Sequence, residues 1–293
     1  MSSITVKAPA KVNLFLKVLR KRPDGYHDIE TIFEKVALFD TIRIKKSKGG
    51  IRVRSDSAGL PTGKENLAYQ AASALQDACG VPIDAEIEIE KGIPIGAGLG
   101  GGSSDAAAVL AGINKLFALG ISGEETAVLA RGIGADVPFF LSGSAWGVGR
   151  QRGDEIEAID TEMELWHIFT IPPFSIRSSQ AYEWSDKAER REEGPGVKEV
   201  LRAIRENDIR SLGKRLWNDL EGLSYERSGF FKELKEALLE DGSSGALISG
   251  SGPVLFGIFS GKREVMRSKA KIEGLIASTK EKWQILTAST LNK

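Results

Sequence analysis

Alternation of apolar and polar positions marks the first third of this chain. Thr5–Leu19 alternates, is rich in Val, Leu and Phe, and predicts a strand. Thr31–Phe39 and Asp40–Lys46 predict two further strands, and Ile51–Arg54 a short one. Ala85–Glu90 alternates strictly, with Ile87 and Ile89 on one face and Glu86, Glu88 and Glu90 on the other. Between these strands the period turns helical. Asn66–Ala78 puts Leu67, Ala71 and Leu75 on one face, with Asn66 as N-cap and Gly80 as terminator.

An Ala-rich apolar helix follows from about Ser103 to Leu116, and a shorter one opens on the Ser122/Glu125 capping box and ends near Gly132. Ala145–Arg150 and Trp166–Ile171 predict strands, with a polar hairpin or linker between them. The later half carries amphipathic helical patterns at Val197–Leu220, Phe230–Leu239 and Glu264–Ile276. Two apolar runs, Ala246–Ile248 and Val254–Phe259, flank a Gly/Ser loop, and Trp283–Thr287 predicts a last strand. Asp186–Gly194 reads as a solvated surface segment. Strands and helices mix without βαβ alternation, which predicts an α+β fold, and no repeat of 20–50 residues occurs.

Composition narrows the chemistry. The 293 residues carry 40 Lys plus Arg against 40 Asp plus Glu, for a formal charge of zero. No global basic field exists, so nucleic acid is not an expected partner. One Cys (Cys79) cannot close an internal disulfide, and two His with one Cys cannot build a His- or Cys-rich zinc cluster. The Met1–Phe15 stretch lacks the apolar core of a secretory signal, and the longest uncharged stretch, Gly242–Gly261, is too rich in Gly and Ser to span a membrane. A cytoplasmic enzyme or binding protein is therefore expected. Glycine is in excess at 33 residues, and 12 of them fall in two stretches, Gly92–Gly102 and Gly242–Gly261.

The first stretch is the strongest feature. Gly96-Ala97-Gly98-Leu99-Gly100-Gly101-Gly102-Ser103-Ser104 runs from a strand into an apolar helix. Glycines allow close approach of a ligand, consecutive N–H groups can face one anion, and a helix N-terminus adds partial positive charge. A phosphate fits that arrangement. Gly96, Gly98 and Gly101 satisfy G-x-G-x-x-G, but Lys91–Ile95 and Pro94 intervene after the strand, unlike a dinucleotide-binding turn. No Lys precedes the serines, unlike a P-loop, and no H-R-D or D-F-G occurs, unlike a protein kinase.

Four other segments stay open on the residues alone. Asp136, in Gly134-Ala135-Asp136-Val137-Pro138, suits a desolvated general base or a turn residue ahead of proline. Lys11 and Asn13 share a strand face that is either a site or simply solvated. Arg22-Pro23-Asp24-Gly25-Tyr26-His27 is a turn presenting an aromatic ring beside an imidazole, suited to a heterocyclic base or to nothing beyond a hairpin. Ser249-Gly250-Ser251-Gly252-Pro253 is a second phosphate loop or a tight connection. Cys79 and His167 read as packed, structural residues.

Taken together and in this order, the segments resemble the GHMP family of small-molecule kinases. The family loop P-x-x-x-G-L-G-S-S-A is matched from Pro94 through Gly98-Leu99-Gly100 to Ser103-Ser104, with added glycines. The resemblance implies a two-domain α+β fold, with a ribosomal protein S5 domain 2-like N-terminal domain and a ferredoxin-like C-terminal domain. It divides the chain into an ATP-binding domain, 1–155, and a substrate-side domain, 156–282, with the 283–293 tail returning to the first. It implies transfer of the ATP γ-phosphoryl group, with Mg²⁺ carried on ATP, to the 2-hydroxyl of a cytidine diphosphate-linked methylerythritol. Asp136 then corresponds to the catalytic base and Lys11 to the lysine that orients it. Asn13 would hold substrate, and Tyr26, His27, Phe33 and Tyr182 would surround the cytosine. Asn66 and Lys91 match positions near adenine, Gly96–Ser104 the triphosphate cradle, and Gly250, Ser251 and Gly252 the family's third glycine motif. No direct protein ligand of the metal is identified.

Two rivals remain. Mevalonate or homoserine kinase would lack a reason for Tyr26-His27 and the triple glycine. A dinucleotide-dependent oxidoreductase needs an acidic residue at a strand end about 20 positions on, where Glu124 and Glu125 stand at a predicted helix start.

Overall fold

The computed structural model describes residues 2–188 and 194–292. Two sheets organise them. The first holds β1 (Ser3–Lys21), β2 (His27–Lys46), β3 (Arg52–Ser55), β4 (Ala85–Glu90), β5 (Trp146–Arg150), β6 (Glu155–Ala158) and the two-residue β8 (Trp217–Asn218). The second holds β7 (Trp166–Ile171), β9 (Gly245–Ile248), β10 (Leu255–Phe259) and β11 (Gln284–Ser289) in the order β11-β7-β10-β9, all antiparallel. The helices are α1 (Leu67–Cys79), α2 (Gly101–Phe117), α3 (Gly123–Ile133), α4 (Val137–Leu141), α5 (Ser178–Lys187), α6 (Val197–Arg205), α7 (Ile209–Gly213), α8 (Gly222–Arg227), α9 (Phe230–Glu240) and α10 (Lys262–Ala277).

The two strands expected at 31–46 are one long strand. β2 runs unbroken past Phe39 because its two halves pair different neighbours: Thr31–Glu34 with β5 and Thr41–Lys46 with β4. Register shifts against β1, after Pro9, Asn13 and Val18, absorb the bend. The amphipathic pattern at 197–220 is not one helix. Asn207 turns left-handed at φ 53, and the Asp208 side chain accepts from Ser211 N, so α6 stops and α7 begins; the chain then enters β8. α5 carried no sequence signal. Asp186, expected in a solvated segment, belongs to α5 and is ion-paired; 189–193 of that segment lie outside the described residues.

Elsewhere pattern and structure agree. Asn66 caps α1 by accepting from Ala68 N at 2.8 Å, and Gly80 closes it at φ 65. The Ser122/Glu125 capping box is formed. Ile87 and Ile89 are buried under α1 and α2, while Glu88 and Glu90 face solvent. The predicted polar stretch after β5 is a hairpin to β6.

Three layers of apolar packing result. α1 and α2 cover one face of the first sheet. The second sheet's four strands and the α9 and α10 crossovers form a βαββαβ unit, with both helices on one face. A third core joins the sheets, with Ala10, Val12 and Leu14 of β1 meeting Phe169 and Phe256. The parity of β1 therefore turns Lys11 and Asn13 the opposite way, away from that core.

A buried polar contact also spans the sheets. His167 Nε2 lies 3.1 Å from Glu34 Oε1, and Thr290 Oγ1 donates to the same oxygen at 2.6 Å. The strand expected at 283–287 to return to the first domain instead pairs β7 in the second sheet, and only past β11 does the chain reach the first sheet, where Leu291 N donates to Lys35 O. His167 is thus a structural residue. None of the described helices is long and apolar enough to cross a membrane.

Asn66→Ala removes a cap and a second bond, from Asn66 Nδ2 to Pro61 O at 2.6 Å. Loss of the cap costs about 1 kcal/mol, which lowers Tm by about 2–4 °C in a domain of this size. A thermal melt against wild type checks it, and an unchanged Tm would contradict the capping role.

Candidate active site

Lys11 is the centre of the site. Its backbone N–H donates to Leu99 O at 2.9 Å, which fixes β1 against the glycine loop. Its ammonium is buried, donates to Asn13 Oδ1, and lies 3.3 Å from Asp136 Oδ2. Asp136 occupies the N-cap position of α4, yet its side chain makes no capping bond. The carboxylate is committed to Lys11 instead. Of the two readings that the sequence left open, the capping turn residue is therefore not what the side chain does. The expectation of a dry pocket fails, because the Asp136 side chain is 31% exposed. It stands at the floor of an open cleft.

The two glycine-rich segments, 150 residues apart, meet here. Ser249 Oγ donates to Gly98 O at 3.1 Å and faces Asn13 N at 3.3 Å. Val254 N donates to Ala97 O, and Asn218 Nδ2 holds Ile248 O and Gly250 O. Gly98 sits at φ 81, where a Cβ would lie 2.4 Å from Ser249 O. Gly100, left-handed at φ 72, releases the chain into α2, which therefore starts at Gly101 rather than at Ser103.

A cleft of about 700 Å³ opens above Lys11 and Asp136. Asn13, Phe33, Ser103, Gly250 and Ser251 line it, as do Tyr26, His27 and Tyr182. His27 is buried and stacks on Tyr182 at 4.8 Å between centroids, while its Nε2 meets Asp186 Oδ1 at 2.7 Å. Lys21 pairs with the same carboxylate; Lys21 first and His27 second hold Asp186 below the usual range. Burial, with Asp136 second, pushes the Tyr182 hydroxyl well above its usual value. Tyr26 is exposed, with the Arg152 guanidinium 5.1 Å over its ring.

The remaining expected residues lie on the other side of the loop. Lys91, Pro94, Ile95 and Ala97 border a second hollow of about 590 Å³. The glycine loop thus runs from that hollow to the cleft. Asn66 is not on either; its side chain is used by the α1 cap and Pro61 O. The Lys91 ammonium is buried between Asp40 and Asp105, at 3.2 Å from Asp105 Oδ2.

Several side chains escaped sequence reading. Asp40, Asp105, Asp186 and Lys21 gained partners from distant segments, for which no local pattern exists. Lys35 pairs across the strands with Lys11 and donates to Ser142 O at 2.6 Å, at the end of α4. Burial lowers it to about 8. One signal was available: Lys11 and Lys35 both interrupt otherwise apolar runs.

Mg²⁺ would have to be held mainly by phosphates. Among the described residues no group of three or more His, Cys, Asp or Glu side chains gathers as a metal site. The oxygen donors lining the cleft around Lys11, from Asn13, Ser103, Asp136 and Ser251, include a single carboxylate and do not amount to a cage.

A two-domain α+β fold with a glycine loop capping a helix and a Lys–Asp pair beside it defines a small-molecule kinase. The GHMP kinases N terminal domain family model matches residues 66–144, and the GHMP kinases C terminal model matches 200–274. The chain belongs to the GHMP kinase family. It is 40% identical over 271 residues to a protein of Syntrophomonas wolfei named 4-diphosphocytidyl-2-C-methyl-D-erythritol kinase, covering 92% of this chain and 94% of that one. A protein of Geobacter metallireducens with the same name is 41% identical over 272 residues, covering 90% and 92%. A crystal structure of 4-(cytidine 5'-diphospho)-2C-methyl-D-erythritol kinase superposes with a TM-score of 0.79 at 31% identity, covering 99% of this chain and all of that one. Homoserine kinase from Cytophaga hutchinsonii, at 19% identity and a TM-score of 0.75 over 99% of this chain and 95% of that one, shares the fold.

Gly98→Ala forces a side chain against the Ser249 carbonyl in a left-handed backbone. The expected result is a tenfold or greater loss of turnover with a lowered Tm. Unchanged kinetics would mean that the junction of the two glycine segments is dispensable.

Proposed function

We propose that this protein transfers the γ-phosphoryl group of ATP to the 2-hydroxyl of 4-diphosphocytidyl-2-C-methyl-D-erythritol, a step of isoprenoid precursor synthesis by the non-mevalonate route. The observation that carries the reading is the Lys11–Asp136 pair, 3.3 Å apart, in a cleft that Tyr26, His27 and Tyr182 also line. The names of the relatives support the same substrate.

In this reading the acceptor hydroxyl sits against Asp136, which takes its proton as the oxygen attacks the γ-phosphorus. Lys11 holds the carboxylate in place. Asn13, bonded to Lys11 and to Thr31 Oγ1, keeps the ammonium from swinging away. Backbone N–H groups of the Gly96–Ser104 loop and the N-terminus of α2 face the charge on the phosphoryl oxygens. Mg²⁺, carried on the triphosphate, supplies further neutralisation. Phosphoryl transfer needs positioning and charge stabilisation more than covalent help, and no nucleophile is required of the protein.

The aromatic end gives the substrate its identity. Tyr26, His27, Phe33 and Tyr182 present rings for stacking on a pyrimidine and polar edges for hydrogen bonding to it. The nucleotide base of ATP would enter the second hollow beside Lys91 and Pro94, with its phosphates following the loop toward Ser103. Gly250, Ser251 and Gly252 close the loop from the substrate side. The acceptor would thus draw on both sides of the 155/156 division, with Lys11, Tyr26, His27, Phe33 and Asp136 from 1–155 and Tyr182, Gly250 and Ser251 from 156–282, in the cytoplasm.

A panel of acceptors with ATP and Mg²⁺ tests the assignment. Turnover is expected with the cytidine compound and not with mevalonate or homoserine; the reverse result overturns it. Asp136→Asn should lower kcat by about 10²–10⁴-fold, with ATP affinity kept within a few-fold. Near-normal turnover in that variant would remove Asp136 as the base.

A further inference from the structure

Beneath the glycine loop lies a cluster that the reaction as described does not use. Asp40 of β2, Lys91 of the loop after β4 and Asp105 of α2 are all buried. Asp40 Oδ1 accepts from Gly92 N at 2.7 Å and Ile93 N at 2.8 Å, while its other oxygen takes the Lys91 ammonium. Lys91 also reaches Asp105 Oδ2. Two carboxylates therefore share one lysine. Asp105 Oδ1 has no hydrogen-bond partner among the described residues.

The cluster is packed directly under the first residue of α2. A Cβ on Gly101 would lie 3.2 Å from the Lys91 ammonium and 3.4 Å from Asp40 Oδ2. Gly101 thus serves the cluster below as well as the ligand side above. The charged groups facing Asp105 are Lys91 and Asp40; Asp56, one step out, accepts the Lys91 backbone N–H at 3.0 Å and the Ser55 hydroxyl at 3.4 Å. With both carboxylates ionised the cluster holds a net negative charge beneath a loop built to receive anions.

Burial already drives the Asp105 carboxyl up to about 7, with Lys91 pulling down and Asp40 adding to the rise. A polyanion arriving on the loop adds like charge to a low-dielectric neighbourhood. It favours the neutral carboxyl. Neutral Asp105 also has an O–H to donate toward Asp40, which relieves the like-charge contact.

We propose that Asp105 is a positioning residue for the phosphate loop, and that it takes up a proton from solvent when nucleotide binds. The inference rests on the reading of Gly96–Ser104 as the triphosphate cradle. The balance is simple: one carboxylate plus one solvent proton gives one carboxylic acid, and the buffer gives up that proton. Lys91 stays paired with Asp40, so the loop keeps its anchor while the net charge beneath it falls to zero.

Calorimetry of ATP binding to the wild-type protein at pH 7, in buffers of different ionisation enthalpy, reads the protons exchanged. Asp105→Asn, which is neutral throughout, should bind ATP and take up fewer protons, by up to about half a proton at this pH. The ligand's own protonation is common to both proteins and cancels in the difference. Carbon-13 NMR of the aspartate carboxyls in wild type gives a second reading that needs no variant. One resonance titrating near pH 7 should move to higher pH when ATP is added. Equal proton uptake in the two proteins, or no carboxyl that shifts with ATP, overturns the proposal while leaving the cradle intact. Failure of wild type to bind ATP at all overturns the cradle, and this proposal with it.

Discussion

The buried ammonium of Lys11 is the contact on which the site depends. A charge taken out of water must be paired and hydrogen-bonded, or it costs several kcal/mol. Lys11 meets that demand with Asn13 on its own strand and Asp136 on α4. Its backbone fixes the glycine loop through Leu99 O. One residue therefore registers three segments that are far apart in the chain: β1, the loop before α2, and the turn into α4. Asp136 is left with no capping duty and with one oxygen held toward the cleft floor. The neighbouring Lys35 does related work from the next strand by holding the last carbonyls of α4. The five-residue α4 is thus held at both ends by lysines paired across β1 and β2.

The second constraint is the seam between the sheets. Ala10, Val12 and Leu14 bury one face of β1 against the second sheet, and strand parity turns Lys11 and Asn13 the other way. The same seam carries Glu34, His167 and Thr290, with His167 and Glu34 wholly buried. Ser249 arrives from the second sheet and closes on Gly98 in the first. The cleft is thus a product of domain docking. Its floor comes largely from the first sheet, and part of its wall comes from α5 and the 249–252 loop.

Much of the fold was legible because local physics dictated it. Asn66, the Ser122/Glu125 box and Gly80 ended helices where their side chains or lack of one required it. The Ala85–Glu90 alternation gave both a strand and its buried face. Where reading failed, a non-local partner had decided. β2 remained whole because β4 and β5 each took half of it, and 197–220 broke where Asn207 turned left-handed and Asp208 supplied a new cap. α5 formed on packing that pattern alone does not reveal: only Ala181 of its residues is fully buried.

The chain by itself determined the chemistry available. One Cys and two His excluded an internal disulfide and a His- or Cys-rich zinc cluster, and the glycine loop ahead of an apolar helix made an anion cradle the expected reading. It also supplied Lys11, Asp136 and the Tyr26-His27 turn as candidates, since residue type and spacing are local properties. Tertiary structure decided which of them act together. It committed the Asp136 carboxylate to Lys11 rather than to a helix cap, put His27 against Tyr182 and Asp186, and sank Lys91 between two carboxylates. Those outcomes depend on distances between segments up to 159 residues apart. Tertiary packing, driven by burial of apolar faces both within the first sheet's layer and between the two sheets, sets such distances.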